Sequence, residues 1–318
     1  MDKLQPSDID GKFKDLPDVP YYREVGSCEA AIDRLFEGEA ENLCEHDAKG
    51  GELYISYTAL YKGKKCFIKI IREDNPYSKN IFYSYEWKLK ENLSQYGWLD
   101  SVGAELVVPD KGAVFKLQGQ LYYLTSYEYV HGATLVELYR DYIIASRYFQ
   151  ADSKRKKLLQ SFRRCGQVLA AINHNPDAIN GDTEMLFKQP VRLLLSDRNG
   201  TNEIYDAASD RFYLIDLSEE ECEGNKGDVY SSLKCWLDNL TDLNIHAQKK
   251  YGSGKRSFSH LFVDLLEAFI EGYTDTFPIH DHEKLSLMIK SMVRDDLKEI
   301  CQDESWLESF ANLIGSRL

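Results

Sequence analysis

The chain has no C-x-x-C pair, no run of apolar residues of membrane-spanning length, and no excess of basic over acidic side chains. Each absence excludes something. Zinc ribbons and disulfide frameworks carry clustered cysteines. The seven here (Cys28, Cys44, Cys66, Cys165, Cys222, Cys235, Cys301) are odd in number and scattered. They read as thiols in a reducing compartment, which makes the expected location cytoplasmic. A membrane helix needs roughly 20 apolar residues, and no stretch approaches that, so no transmembrane segment is expected. The opening MDKLQPSDIDGKFKDL also lacks the apolar segment of a secretory signal. With 39 basic and 52 acidic residues the net charge is −13, which argues against a nucleic-acid groove, because phosphate binding wants a basic stripe. The adjacent triplet His280-Asp281-His282 offers donors that point apart, a poor metal fragment. What is present is 318 residues that are 43% hydrophobic and 12% aromatic, too apolar for disorder and long enough for about two domains or one two-lobed fold.

Patterning changes along the chain. Residues 1–27 hold three of the eight prolines and no period, so they read as a lead-in, and Cys28 to Cys44 suits a short helix. ELYISYTALY, a Lys62-Gly63 turn and KKCFIKII then predict a hairpin of β-branched and aromatic strands. Phe82, Glu86, Leu89 and Leu93 fall on one helical face. GAVFKL and QLYYLTSYEYV around Gly119 predict a second hairpin. Beyond His131-Gly132 the periodicity turns helical, with LLQSFRRCGQVLAAI an amphipathic helix and residues 228–240, 258–273 and 283–315 further helices. RLLLS and RFYLIDL are apolar runs expected to form small strands. The expected organisation is an N-terminal extension over 1–44, a β-rich lobe over 45–130, and a helical lobe with a C-terminal extension over 131–318.

The chemistry concentrates near Asp197-Arg-Asn-Gly-Thr-Asn202, followed by FYLIDL ending in Asp216. An Asp and an Asn five apart on a loop, joined by a second Asp after the next strand, bring together two carboxylates and an amide. These are hard oxygen donors suited to a Mg²⁺ that bridges phosphates. Upstream, Lys69 lies in the apolar strand CFIKI, where an inward cation needs a partner or a phosphate. Glu86 sits on the apolar helix face and could pair with it, whereas Glu91 falls off that face. Each residue has a plainer role open to it: Lys69 as a strand-edge cation, Glu86 as a solvated helix charge, Asp197 and Asn202 as turn formers, Asp216 as a cap.

In that order, strand Lys69, helix Glu86, linker Tyr127-Glu128-Tyr129-Val130, loop D-x4-N and strand Asp216 resemble the protein-kinase-like superfamily over roughly residues 45–240. The resemblance implies an α+β, two-lobed kinase-like fold with a small β-rich N-lobe and a larger helical C-lobe. It implies ATP with Mg²⁺ or Mn²⁺ as cofactors, Asp197 as the residue that orients the acceptor hydroxyl, and Asn202 and Asp216 as metal ligands. Lys69, fixed by Glu86, would contact the α- and β-phosphates, backbone groups of Glu128 and Val130 would take adenine, and Lys49-Gly50-Gly51 would be the remnant of the glycine-rich loop.

The departures narrow the reading. Leu195-Ser196-Asp197 stands for His-Arg-Asp, Asn199 stands where protein kinases usually carry Lys, and Asp216-Leu217-Ser218 replaces Asp-Phe-Gly. Eleven residues separate Asp216 from Asp228, too few for a conventional activation segment. Such a chain resembles bacterial effector kinases and sugar kinases. The expected activity is transfer of the γ-phosphoryl group to a hydroxyl, with protein Ser/Thr favoured as acceptor. Small-molecule or lipid kinase, pseudokinase scaffold and AMP transfer are the alternatives. Two further sequence features remain. Lys154, Arg155, Lys156, Lys157, Arg163 and Arg164 form a basic island, and Lys249, Lys250, Lys255 and Arg256 a second. Either is a solvated face or a site for an anionic activator such as an inositol phosphate or lipid headgroup. The amphipathic acidic tail resembles translocation signals of effectors that bacteria secrete into host cells.

Overall fold

The computed structural model describes residues 19–46, 54–74, 80–146, 151–175, 183–195, 198–217, 227–251, 255–276 and 282–300. The fold is α+β, with its larger sheet in the N-terminal part and most of its helix in the C-terminal part. The chain divides into two compact units, one of Met1–Tyr96, Leu106–Val130 and Asp216–Glu220, the other of Gly97–Glu105, His131–Ile215 and Glu221–Leu318.

The first unit is built on strands β1 (Tyr21–Tyr22), β2 (Ala40–His46), β3 (Ile55–Tyr61) and β4 (Lys64–Arg72). A short β5 (Ala104–Leu106) pairs elsewhere, and β6 (Pro109–Leu117) and β7 (Gln120–Glu128) complete the set. The sheet order is β1-β6-β7-β4-β3-β2, antiparallel throughout except for β1 on β6. Both expected hairpins form. Each turns through two residues with positive φ, Lys62 at 51° and Gly63 at 78°, Gln118 at 51° and Gly119 at 79°. That conformation matches the right-handed twist of the strands it joins, and glycine takes the second position without strain.

The expected helix from Cys28 to Cys44 is corrected. Helix α1 spans Cys28–Leu35, opened by Ser27, whose Oγ accepts from the Ala30 N–H at 3.2 Å. It ends where Glu37 enters the left-handed region, with Glu37 N–H donating to Arg34 O and Gly38 N–H to Asp33 O. Those two bonds satisfy the last carbonyls and turn the chain into β2. Residues 21–44 are therefore no extension. Val25, Ala31, Ile32 and Phe36 pack in one core with Ile68, Ile70, Phe115 and Leu124 of the sheet. Helix α2 (Asn80–Glu91) buries Tyr85, Glu86 and Leu89, whereas Leu93 lies beyond its end and is largely exposed.

The second unit contains helices α3 (Leu135–Ser146), α4 (Ala151–Asn173), α5 (Thr183–Phe187), α6 (Val229–Tyr251), α7 (Lys255–Thr276) and α8 (His282–Ile300). With β8 (Ala133–Thr134), β9 (Glu203–Asp206) and β10 (Arg211–Leu214), strand β5 forms a small sheet in the order β5-β10-β9-β8. RFYLIDL supplies β10 as expected, but RLLLS forms no strand, and its pairing partner is instead the more polar Glu203–Asp206. Leu193 and Leu195 are buried as irregular chain, with the Leu193 N–H taken by Ile172 O. Helices α4 and α7 cross at two glycines. A Cβ on Gly166 would lie 2.1 Å from Phe269 O, and one on Gly272 1.9 Å from Arg163 O. Beside that crossing, Asn173 Nδ2 donates to Tyr273 Oη at 3.1 Å, Ser232 Oγ donates to Asn173 Oδ1 at 2.9 Å, and His174 Nε2 lies 2.7 Å from the same tyrosine oxygen. Burial lowers the His174 pKa to about 3, so this network is neutral.

Candidate active site

Lys69 occupies the middle of β4, where its backbone faces Ser56 on one side and Thr125 on the other. Strand alternation sends its side chain to the face opposite Ile68 and Ile70, which are in the core. The ammonium forms an ion pair with the Asp216 carboxylate, with side-chain exposures of 14% and 40%. It also sits 5.3 Å from the Tyr54 ring centre and 5.5 Å from that of Tyr127, within cation–π range. Burial alone would lower the Lys69 pKa. The Asp216 and Glu86 carboxylates outweigh it and raise the pKa, so the side chain is a cation.

The expected Lys69–Glu86 pair is thereby corrected, since the partner of Lys69 is Asp216. Glu86 is 3% exposed and held by two other bonds. Tyr127 Oη donates to its Oε2 at 2.6 Å, and the Leu217 N–H donates to its Oε1 at 3.3 Å. Burial pushes the Glu86 pKa up to about 7 against the pull of Lys69, with the Asp216 charge adding to the rise. Helix α2, strand β7 and the residue after Asp216 thus meet on one carboxylate. Asp216 itself holds φ at 50°, a left-handed conformation that Asp adopts more readily than most non-glycine residues.

The raised Glu86 pKa has a consequence for stability. The unfolded chain loses this proton near the ordinary 4.5, the folded chain only near 7. The stabilisation is complete below the lower value and is lost as pH rises through the upper one, by up to about 3 kcal/mol. Thermal unfolding followed from pH 5 to 8 is expected to show that decline in the wild type and to lose it in Glu86→Gln. The constant cost of one poorer hydrogen bond in the variant leaves the slope untouched.

The other expected site residues fall as follows. Gly50, Gly51 and Asp197 lie outside the described residues. Asn202, in the second unit, is 6% exposed, and its carbonyl accepts from the Ile215 N–H at 3.0 Å. Sequence reasoning passed over Arg198, which is 6% exposed and ties the loop together. It donates to Asn202 O at 3.2 Å and Ile215 O at 2.8 Å, and pairs with the buried Glu203 at 3.5 Å. Glu203 in turn accepts from the Gly200 N–H at 2.7 Å. The signal was an arginine inside the D-x4-N loop and a glutamate directly after it. Glu128 is exposed at the end of β7 opposite Cys66, and the chain continues with the Tyr129 N–H on Lys65 O and then Val130.

Most members of the first basic island have acidic or carbonyl partners. Arg155 pairs with Asp264 at 2.6 Å, Arg163 with Asp275 at 2.6 Å, and Lys154 with Asp141 at 3.3 Å. Arg164 donates to Val102 O and Asp210 O. Only Lys156 and Lys157 stand outside these pairs. The side chains of the second island, from Lys249 to Arg256, lie outside the described residues.

Among the described residues no cluster of three His, Cys, Asp or Glu side chains could hold a metal, and no helix is long and apolar enough to cross a membrane. A cavity of about 20 Å³ in the second unit, lined by Cys165, Arg198, Glu203 and Trp236 among others, has room for about one water molecule and none for a nucleotide.

No family model matches the chain, and no curated protein matches it. Among solved structures, the chain is similar to a thermostable mutant of aminoglycoside phosphotransferase APH(4)-Ia in ternary complex with ADP and hygromycin B, at 10% identity and a TM-score of 0.38, over 91% of this chain and 97% of that one. It is similar to the apo form of such a mutant at 11% identity and the same TM-score of 0.38, over 83% and 97%. At these scores the likeness is loose, and the functional reading rests on the side chains described above.

Proposed function

We propose that the chain is an atypical kinase, an ATP-dependent phosphotransferase that moves the γ-phosphoryl group to a hydroxyl, protein Ser/Thr being the favoured acceptor. The observation that supports it is the buried Lys69–Asp216 pair with Glu86 lodged beside it. A cation and two carboxylates from a strand, a helix and a post-strand turn, some 150 residues apart in the chain, are costly to gather in one protein interior without a charged ligand to receive. The sheet order, two antiparallel hairpins with the cation on the central β4, is the frame that the kinase resemblance implies.

In this reading Lys69 contacts the α- and β-phosphates. Asp216, a half-exposed carboxylate, and Asn202, a carboxamide, have the hard oxygen donors that Mg²⁺ or Mn²⁺ selects. The bound ion would neutralise phosphate charge. Asp197 accepts the proton of the acceptor hydroxyl while its oxygen attacks the γ-phosphorus. The bond to the β–γ bridging oxygen breaks, and ADP leaves. Backbone groups of Glu128 and Val130 take the adenine. A small-molecule or lipid acceptor is the second reading, favoured by the eleven residues between Asp216 and Asp228, which leave little platform for a peptide.

Calorimetric titration with ATP in the presence of Mg²⁺ tests the site itself. Binding is expected in the wild type, and a loss of at least tenfold in Asp216→Ala. Equal binding by the two proteins would remove Asp216 from the nucleotide site and the proposal with it.

A further inference from the structure

Arg198 is 6% and Glu203 2% exposed, a charged pair inside the second unit. Burial of such a pair is weak evidence of stability, because desolvating two charges offsets most of their attraction, and apolar residues of similar volume often serve as well. Glu203 also stands where the strand pattern suits an apolar side chain, on the inward face of β9 with Tyr205, while Ile204 takes the less buried face. What the pair supplies and apolar side chains cannot is direction. One planar guanidinium donates to two carbonyls, Asn202 O at 3.2 Å and Ile215 O at 2.8 Å. Asn202 O also accepts from the Ile215 N–H at 3.0 Å. The carboxylate takes the Gly200 N–H at 2.7 Å and holds the guanidinium at 3.5 Å. From outside the loop, Asn239 of α6 donates to Arg198 O at 2.9 Å, and the Val136 N–H of α3 donates to Gly200 O at 3.1 Å. Residues 198, 200 and 202 are each tied through their backbone, whereas Asn199 and Thr201 between them are less buried.

We infer that Arg198 is a positioning residue for metal binding: its fork locks the backbone of Asn202 to that of Ile215, the residue directly before Asp216. The inference rests on the kinase-like reading, in which Asn202 and Asp216 hold Mg²⁺, and names the residue that organises their backbones. Groups behind a metal's ligands fix the orientation of those ligands, and their loss typically weakens metal affinity by about 10- to 100-fold. Lysine is no substitute for Arg198, since an ammonium is a point charge without the rigid two-pronged geometry that two carbonyls at fixed positions require.

The test compares the full-length wild type with Arg198→Met/Glu203→Leu, which removes both charges and keeps the bulk. The first readout is the melting temperature without ligand, expected to stay within about 4 °C of the wild type or to rise above it. The second is the Mg²⁺ concentration at which binding of a fluorescent ATP analogue is half-maximal, expected to rise about 10- to 100-fold. Arg198→Lys is the second variant. It leaves a cation beside Glu203, so no buried charge is stranded, and its Mg²⁺ midpoint is expected to shift in the same direction. An unmoved or lower midpoint in either folded variant would mean that the pair serves only the fold, and would overturn the inference. Should both variants melt below the assay temperature, the pair is a requirement of folding, and the inference is overturned as well. If the wild type itself binds no nucleotide at any Mg²⁺ concentration, the phosphotransferase reading fails and takes the inference with it. Wild-type binding with unmoved variants fails the inference alone.

Discussion

Lys69→Met is expected to abolish phosphoryl transfer, lowering turnover by roughly a hundred- to a thousandfold, the usual loss when one preorganised charge aimed at the reacting phosphate is removed. The geometry gives the reason. Lys69 is the cation set between Asp216 and Glu86, with the rings of Tyr54 and Tyr127 5.3 and 5.5 Å away. With methionine there, two carboxylates face the phosphates without it. The fold is expected to persist. The Asp216 side chain is 40% exposed and can turn to water, and Glu86 answers the loss by keeping its proton to still higher pH. Turnover measured beside a melting curve separates the two effects. A variant that retains turnover would mean that Lys69 serves only the fold.

The largest expected effect on stability lies elsewhere, at the α4–α7 crossing. Gly272→Ala places a methyl 1.9 Å from Arg163 O, a backbone atom that cannot rotate aside, so the helices must separate. Overpacking in a tight interior costs about 1–3 kcal/mol where side chains can give and more where they cannot. Gly272→Ala is therefore expected to lose at least about 3 kcal/mol, seen as a fall in the urea midpoint or as failure to yield soluble protein. Gly97→Ala, with nothing within 4 Å of the new Cβ, is the control, expected to stay within about 0.5 kcal/mol of the wild type. The neighbouring Tyr273–Asn173–Ser232 hydrogen bonds depend on the same close approach.

How much of this was legible in the sequence differs from element to element. The two hairpins were readable because alternation and a glycine at the second turn position act within a dozen residues. The phase of α2 put Glu86 inward because Leu89 shares its face. Strand β2 was missed because AENLCEH alternates only weakly, although Gly38, just past the end of α1, stood in plain view. RLLLS has strand composition but is buried as irregular chain, while the more polar Glu203–Asp206 takes the β10 edge. Local propensity loses there to tertiary placement. That Lys69 and Asp216 share one site was what the kinase resemblance implied. The surroundings of Glu86 were not legible, because its two bonds come from a hydroxyl at residue 127 and an amide at 217, far from it in the chain. The basic island shows the same limit in reverse. Its counter-ions, Asp264, Asp275 and Asp141, come from other helices, and a run of like charges in sequence becomes a set of pairs in space.

The most direct test of the central claim is transfer of label from γ-labelled ATP with Mg²⁺ or Mn²⁺, comparing wild type with Asp216→Ala and resolving products on a gel and by thin-layer chromatography. The assay runs with and without cell extract and an inositol polyphosphate, so that a missing acceptor or activator is supplied. Label on a protein or on a small molecule in the wild type, absent in the variant, is the predicted result and names the acceptor class. Equal labelling in both proteins, or none in either under every condition, would contradict the phosphotransferase account.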